Sequence, residues 1–168
     1  MKKLILMDLN LLISLEVGCK INLNLESEME KINNFFDGIA NPIRGVADWL
    51  LRLGLGISFF LHGYGKLPLH ITDNGKWLTG EFGTLVANLI TYGEILAGLG
   101  IVVGGLLAKP MAELGHLVTR MSGGAVGIIM IGAIFIAHSD WLITKKLFMS
   151  EQIFLFLLGT YFAIKGNR

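Results

Sequence analysis

The chain has 168 residues, 53% of them hydrophobic and 16% charged, with a formal net charge of +1. Soluble domains carry about 25% charged residues, so the apolar excess argues against a water-soluble fold, and the near-neutral charge offers no basic surface for nucleic acid. The single cysteine, Cys19, excludes a self-contained dithiol–disulfide site and a Cys-rich zinc or iron–sulfur centre.

Residues 1–20 open with Lys2 and Lys3 ahead of Leu4–Met7, the outline of a signal peptide. Asp8 and Asn10 interrupt the run, and Glu16 stands where a lipoprotein cleavage site at Gly18-Cys19 wants a small or apolar residue. The expectation is a leader that is poorly ordered or lies on a surface. Over residues 26–44, Ile32, Phe35, Phe36 and Ile39 recur at helical spacing, with Glu28, Lys31, Asn34 and Asp37 largely elsewhere. This is the pattern of an amphipathic helix lying on a membrane or packed on its own protein. Asn41-Pro42 ends it.

From Asp48 the pattern changes. A bilayer core of about 30 Å takes roughly 20 apolar residues in a helix. Four stretches meet that length: Asp48–Leu67, Phe82–Ala108, Leu117–His138 and Leu147–Ile164. Their connections carry turn signals: Pro68, Asn74-Gly75, Lys109-Pro110, and Ser139-Asp140 before Lys145-Lys146. Gly100-xxx-Gly104 and Gly123-xxx-Gly127 place small residues on helix faces, as close packing in lipid requires. The expected fold is an all-α membrane protein: residues 1–45 form a leader and an N-terminal amphipathic interfacial helix, and residues 46–168 a bundle of four transmembrane helices.

Lys and Arg concentrate on the cytoplasmic side of membrane proteins. With the N-terminus inside, Lys2, Lys3, Lys20, Lys31, Arg44, Arg52, Lys109, Arg120, Lys165 and Arg168 fall inside, and Lys66, Lys76, Lys145 and Lys146 outside. Both termini are therefore expected on the cytoplasmic face of a bacterial-type inner membrane, and the outcome rests on the N-terminal segment.

That orientation gathers the polar residues of the spans into one outer layer: His62, Tyr64, Lys66, Glu94, His138 and Glu151. Several have ordinary explanations. Lys66 can snorkel to the headgroups, Tyr64, Trp77 and Trp141 sit where interfacial aromatics sit, and His138 and Glu151 can be interfacial residues in contact with water. Arg52 can anchor the inner end or pair with Asp48 one turn back. Glu94 is different. It lies roughly 14–18 Å from the outer end of its helix at 1.5 Å per residue, where a carboxylate costs at least about 2.5–3.5 kcal/mol. It should face the bundle and be protonated or paired, with His62 as the first choice of partner and Lys66 the second. A carboxyl–imidazole pair in such a place can move a proton, bind a quinone carbonyl or, through His, ligate haem iron; it can equally be structural glue. No metal site and no catalytic residue is assigned.

At these residues the chain resembles the DoxX family (DoxX/DoxD-like small four-helix membrane proteins). Arg52-Leu-Gly-Leu-Gly-Ile-Ser-Phe-Phe-Leu-His62-Gly-Tyr-Gly-Lys66 follows the family's opening pattern of an Arg, an apolar helix and a Gly-rich stretch ending in Lys. Gly93-Glu94-Ile-Leu-Ala-Gly98-Leu-Gly100-Ile-Val-Val-Gly104 resembles its Glu followed by closely spaced glycines, and Ala133-Ile-Phe-Ile-Ala-His138-Ser139 its third-helix ending. The resemblance covers about Trp49 to Ile164. Two features depart from it: Leu107-Ala-Lys109-Pro110 replaces the Thr-Arg of many members, and Ser150-Glu151-Gln152 replaces the Lys-Asn of some.

The resemblance implies a quinone- or sulfur-linked redox role for some members. The leading expectation is a redox accessory subunit that binds quinone near Glu94 and His62 and serves a partner oxidoreductase, with haem the second cofactor considered. The alternatives are proton or small-solute transport, which would call for a homo-oligomer, and a structural or assembly factor without catalytic activity. Membrane lipids are expected partners and nucleic acid is not.

Overall fold

The computed structural model describes residues 2–142 and 144–168, with side chains for residue 20 and from residue 22 onward. Every regular element among the described residues is helical. The chain divides into two compact units, Met1–Val46 and Ala47–Arg168.

In the first unit, helix α1 runs from Lys2 to Ala40. The expected leader and the expected amphipathic segment are thus one helix; the side chains around the Gly18-Cys19 motif lie outside the described residues. The helix ends where Asn41-Pro42 interrupts it. A 3-10 turn, Asn41–Ile43, carries Pro42 near its start, where a missing N–H breaks no helical hydrogen bond. Ile32, Phe35, Phe36 and Ile39 are each more than half exposed. Beside them Lys31 bonds Glu28 at 2.6 Å, and Arg44 approaches Asp37 at 3.5 Å.

Next come α2 (Arg44–Tyr64), α3 (Asp73–Leu106), α4 (Ala112–Gly132), α5 (Lys145–Met149) and α6 (Glu151–Lys165). Thr72 caps α3, its hydroxyl accepting from the Gly75 N–H at 3.1 Å, which satisfies one of the free donors of the first turn. Within α3, Gly83 has φ 76° and ψ 162°, a conformation confined essentially to glycine. It separates a polar-rich first segment, 73–82, from the long apolar stretch 84–106. α4 runs on into a π-helical turn, Ala133–Ala137. By length and composition, Asp73–Leu106 and Ala112–Ala137 are long and apolar enough to cross a membrane.

The last expected span is built differently. Residues 147–164 do not form one helix: Ser150 is extended, at φ −90° and ψ 151°, and its hydroxyl donates to the Leu147 carbonyl at 2.7 Å. α6 alone has 15 residues, about 22 Å at 1.5 Å per residue, against a hydrocarbon core of about 30 Å.

Four helices contribute to one core. Leu55 and Phe59 of α2, Ala97 and Ile101 of α3, Val126 and Met130 of α4, and Leu155 and Phe162 of α6 form a single buried cluster. Glycines set the helix separations. A Cβ on Gly98 of α3 would stand 2.6 Å from the Gly56 oxygen and 2.7 Å from the Phe60 nitrogen of α2. One on Gly115 of α4 would stand 2.8 Å from the Gly104 oxygen of α3, and one on Gly123 would stand 2.6 Å from the Gly159 oxygen of α6. At these crossings backbone meets backbone, the approach that small residues permit. Of the second small-residue pair only Gly123 is used this way. At Gly127 the nearest atom to a Cβ would be the Thr160 hydroxyl, at 3.8 Å.

Candidate functional site

Glu94 lies on the face of α3 that meets α2, with 2% of its surface exposed. Gly63 makes room for it. A Cβ there would stand 3.0 Å from the Glu94 Cβ and 2.7 Å from the Thr91 carbonyl oxygen. Just past the end of α2, the chain curls through Gly65 and Lys66, whose N–H groups bond back to Leu61 and Gly63 at 2.8 and 3.1 Å. The Thr72 hydroxyl donates to the Lys66 carbonyl at 2.7 Å. Gly75 of α3 packs on the same oxygen, which a Cβ would approach to 2.6 Å. The first turn of α3 therefore fixes the Lys66 backbone, and the ammonium of Lys66 donates to Oε2 of Glu94.

This ion pair stands on the wall of a cavity of about 310 Å³ between α3, α4 and the π-helical turn. Trp77, Phe82 and Ile90 of α3, Ile129 of α4, and Ala133 and Ile136 of the π-helical turn line it. A π-helical turn widens a helix locally and is frequent at functional sites. One turn before Glu94, Thr91 is wholly buried. Its hydroxyl is the buried side-chain oxygen that has no hydrogen-bond partner among the described residues.

The six residues expected to form one polar layer separate into smaller groups. Lys66 and Glu94 are together. His62 is not the direct partner of Glu94: its Nε2 meets Oε1 of Glu151 at 2.7 Å, joining the end of α2 to the start of α6. Tyr64 is exposed and stacks on Phe60 at 6.0 Å between ring centroids. His138 stacks on Trp141 at 3.8 Å, beyond the π-helical turn. Among the described residues no group of three or more His, Cys, Asp or Glu side chains is placed to hold a metal ion.

A second polar centre was hardly legible in the sequence. Arg52 is 2% exposed and spends all five of its N–H donors. Nε donates to Asp48 at 2.9 Å, Nη1 to the Ile101 carbonyl and the Thr119 hydroxyl at 3.2 Å each, and Nη2 to the Gly166 carbonyl at 3.2 Å and Asn167 Oδ1 at 2.8 Å. Its guanidinium carbon lies 4.7 Å from the centroid of the Phe162 ring. Lys165 completes the group, bonding the other Asp48 oxygen at 2.9 Å. The i, i+4 spacing of Asp48 and Arg52 is the one part that a sequence displays.

No solved structure matches the chain significantly. Among curated proteins, it is 32% identical over 120 residues to a protein translocase subunit SecA of Brachyspira hyodysenteriae (strain ATCC 49526 / WA1). The match takes in 67% of this chain and 12% of that protein, so the chain spans about an eighth of the length of the relative it matches. The model of the DoxX family matches residues 47–139, which include α3, α4, the π-helical turn, Arg52 and the Lys66–Glu94 pair. The chain belongs to the DoxX family.

Proposed function

We propose that the chain is a four-span protein of a bacterial-type inner membrane, with both termini cytoplasmic, that holds a quinone-class ligand in the Lys66–Glu94 cavity as an accessory to a partner oxidoreductase. The observation that carries the ligand assignment is an ion pair set into an otherwise apolar cavity wall. Ligand sites typically combine apolar walls with a few placed polar groups. The Lys66 ammonium has three donors, and one is committed to Glu94. Another can meet a ligand carbonyl, while Trp77, Phe82 and Ile136 take the ring and exclude water. A bound quinone would supply electron and proton acceptance; the chain's own part is to bind and orient it. The shared core of α2, α3, α4 and α6 supports four spans, with α5 and the Ser150 bend completing the last crossing beside α6.

The test is a mass-spectrometric analysis of organic extracts from full-length protein isolated in native-lipid nanodiscs. Isoprenoid quinone should co-purify in near-equimolar amount and be lost when Ala133→Trp fills the cavity. Wild-type protein with no more quinone than empty nanodiscs would overturn the ligand assignment. Reporter fusions at the two termini test the topology separately: a periplasmic signal from either one contradicts it.

A further inference from the structure

We propose that the groove between α4 and α6 beside Arg120 binds the phosphate of an anionic phospholipid, from the leaflet on the side of the C-terminal residues. Arg120 sits eight residues beyond the start of α4 at Ala112, about 12 Å along the helix at 1.5 Å per residue. It is exposed, in a helix long and apolar enough to span a membrane. A charged side chain on a lipid-facing helix is costly unless it finds a partner. Its Nε donates to the Ala163 carbonyl at 2.9 Å. Among the described residues the guanidinium has no other partner, which leaves four of its five N–H donors. Arg52 shows what a structural arginine in this chain looks like, with every donor used inside the protein.

The surroundings fit a phosphodiester. The groove has a volume of about 550 Å³, and Glu113, its carboxylate, is already engaged by Arg168 at 2.8 and 3.1 Å. His116 Nδ1 accepts the Asn167 N–H at 3.1 Å, which places the imidazole proton on Nε2, a second donor for a phosphate oxygen. Leu117 and Met121 also line the groove and are 54% and 68% exposed, an apolar rim suited to acyl chains. That rim and the depth of Arg120 favour a lipid over free phosphate. Basic pockets between helices at a membrane face are a known means of holding anionic headgroups. The site rests on the membrane reading above but shares no residue with the Lys66–Glu94 cavity, so the lipid and the quinone assignments stand or fall separately.

Native mass spectrometry of the full chain in mild detergent, titrated with phosphatidylglycerol and with phosphatidylcholine, tests the site. Phosphatidylglycerol should bind the tighter, and Arg120→Gln should reduce that preference about fivefold, the worth of one basic side chain near a charged headgroup. Lys109→Gln, outside the groove, should leave it unchanged. Glu113→Gln, on an exposed carboxylate, should strengthen phosphatidylglycerol binding, and it tests the site even if Arg120→Gln fails to fold. Equal binding of the two lipids by wild type, an undiminished preference in folded Arg120→Gln, an equal loss in Lys109→Gln, or no gain in Glu113→Gln would each overturn the proposal. Displacement of bound phosphatidylglycerol by millimolar inorganic phosphate would overturn the lipid as its source.

Discussion

Lys66 and Glu94 form an ion pair whose side chains are 17% and 3% exposed, the lysine reaching in from a turn and the carboxylate from the middle of α3. Among the described residues neither charge has a second partner of opposite sign in direct contact. Breaking a buried pair strands the survivor, at a cost of about 3–5 kcal/mol, whereas removing both charges is often near neutral. Lys66→Met should therefore destabilise the folded chain strongly. The double variant Lys66→Met/Glu94→Gln should recover most of the loss. Unfolding in mixed detergent, followed by circular dichroism, measures wild type, Lys66→Met, Glu94→Gln and the double variant. Losses that simply add would show that the two residues do not act as a pair.

Arg52 makes an analogous prediction for the other centre. Its five donors reach α2, α3, α4 and the residues after α6. A lysine there keeps the charge but loses the planar fork, so Arg52→Lys should leave acceptors unpaired and cost several of the roughly 0.5–1.5 kcal/mol that each hydrogen bond contributes. Thr119→Val removes one partner and should cost about 1–3 kcal/mol. The same unfolding measurement ranks them. An Arg52→Lys variant as stable as wild type would show that charge alone, without the fork, holds this centre.

The all-helical character, the glycine-bearing interfaces and the burial of Glu94 in the bundle were legible in the sequence because each follows from local pattern or from the cost of a charge among apolar residues. Its partner was not. His62 lies within α2 and looked the nearer neighbour. Lys66 reaches Glu94 because the chain curls at Gly65 and the Thr72 cap and Gly75 of α3 lock the Lys66 peptide, a tertiary arrangement that spacing does not encode. The Arg52 centre was hidden for the same reason: Ile101, Thr119 and Asn167 stand 49, 67 and 115 residues away. The break before α6 was not legible because the polar Ser150-Glu151-Gln152 stretch that holds it carries no proline or glycine.

Two adjacent glycines in α4 separate packing from helix propensity. A Cβ on Gly123 would meet the α6 backbone at 2.5 Å, while one on Gly124 would meet nothing within 4 Å. Gly→Ala in a helix is worth about 1 kcal/mol in propensity, but overpacking costs about 1–3 kcal/mol. Gly124→Ala should stabilise the protein or leave it unchanged, and Gly123→Ala should destabilise it. Unfolding midpoints of the two variants compared side by side decide the matter. The same sign for both would mean that α4 and α6 are not in backbone contact at this crossing.

Gly83 stands at the turn between two parts of the cavity wall. Its φ of 76° and ψ of 162° turn the chain between the first segment of α3, which carries Trp77 and Phe82 to the cavity wall, and the stretch that carries Ile90 and Glu94. A Cβ at Gly83 would meet no neighbour within 4 Å, so any penalty in Gly83→Ala comes from the backbone and not from crowding. Holding a non-glycine residue in that region costs of order 1–3 kcal/mol. The chain can relieve the strain by straightening into continuous helix, which swings Trp77 away from Lys66. Gly83→Ala should thus lower stability within that range and also shift the emission of Trp77 toward the red as it meets water, read in a protein whose other tryptophans, Trp49 and Trp141, are replaced by Phe. A loss of stability with unchanged Trp77 emission would show that the strain is borne in place and that the cavity wall is independent of the turn.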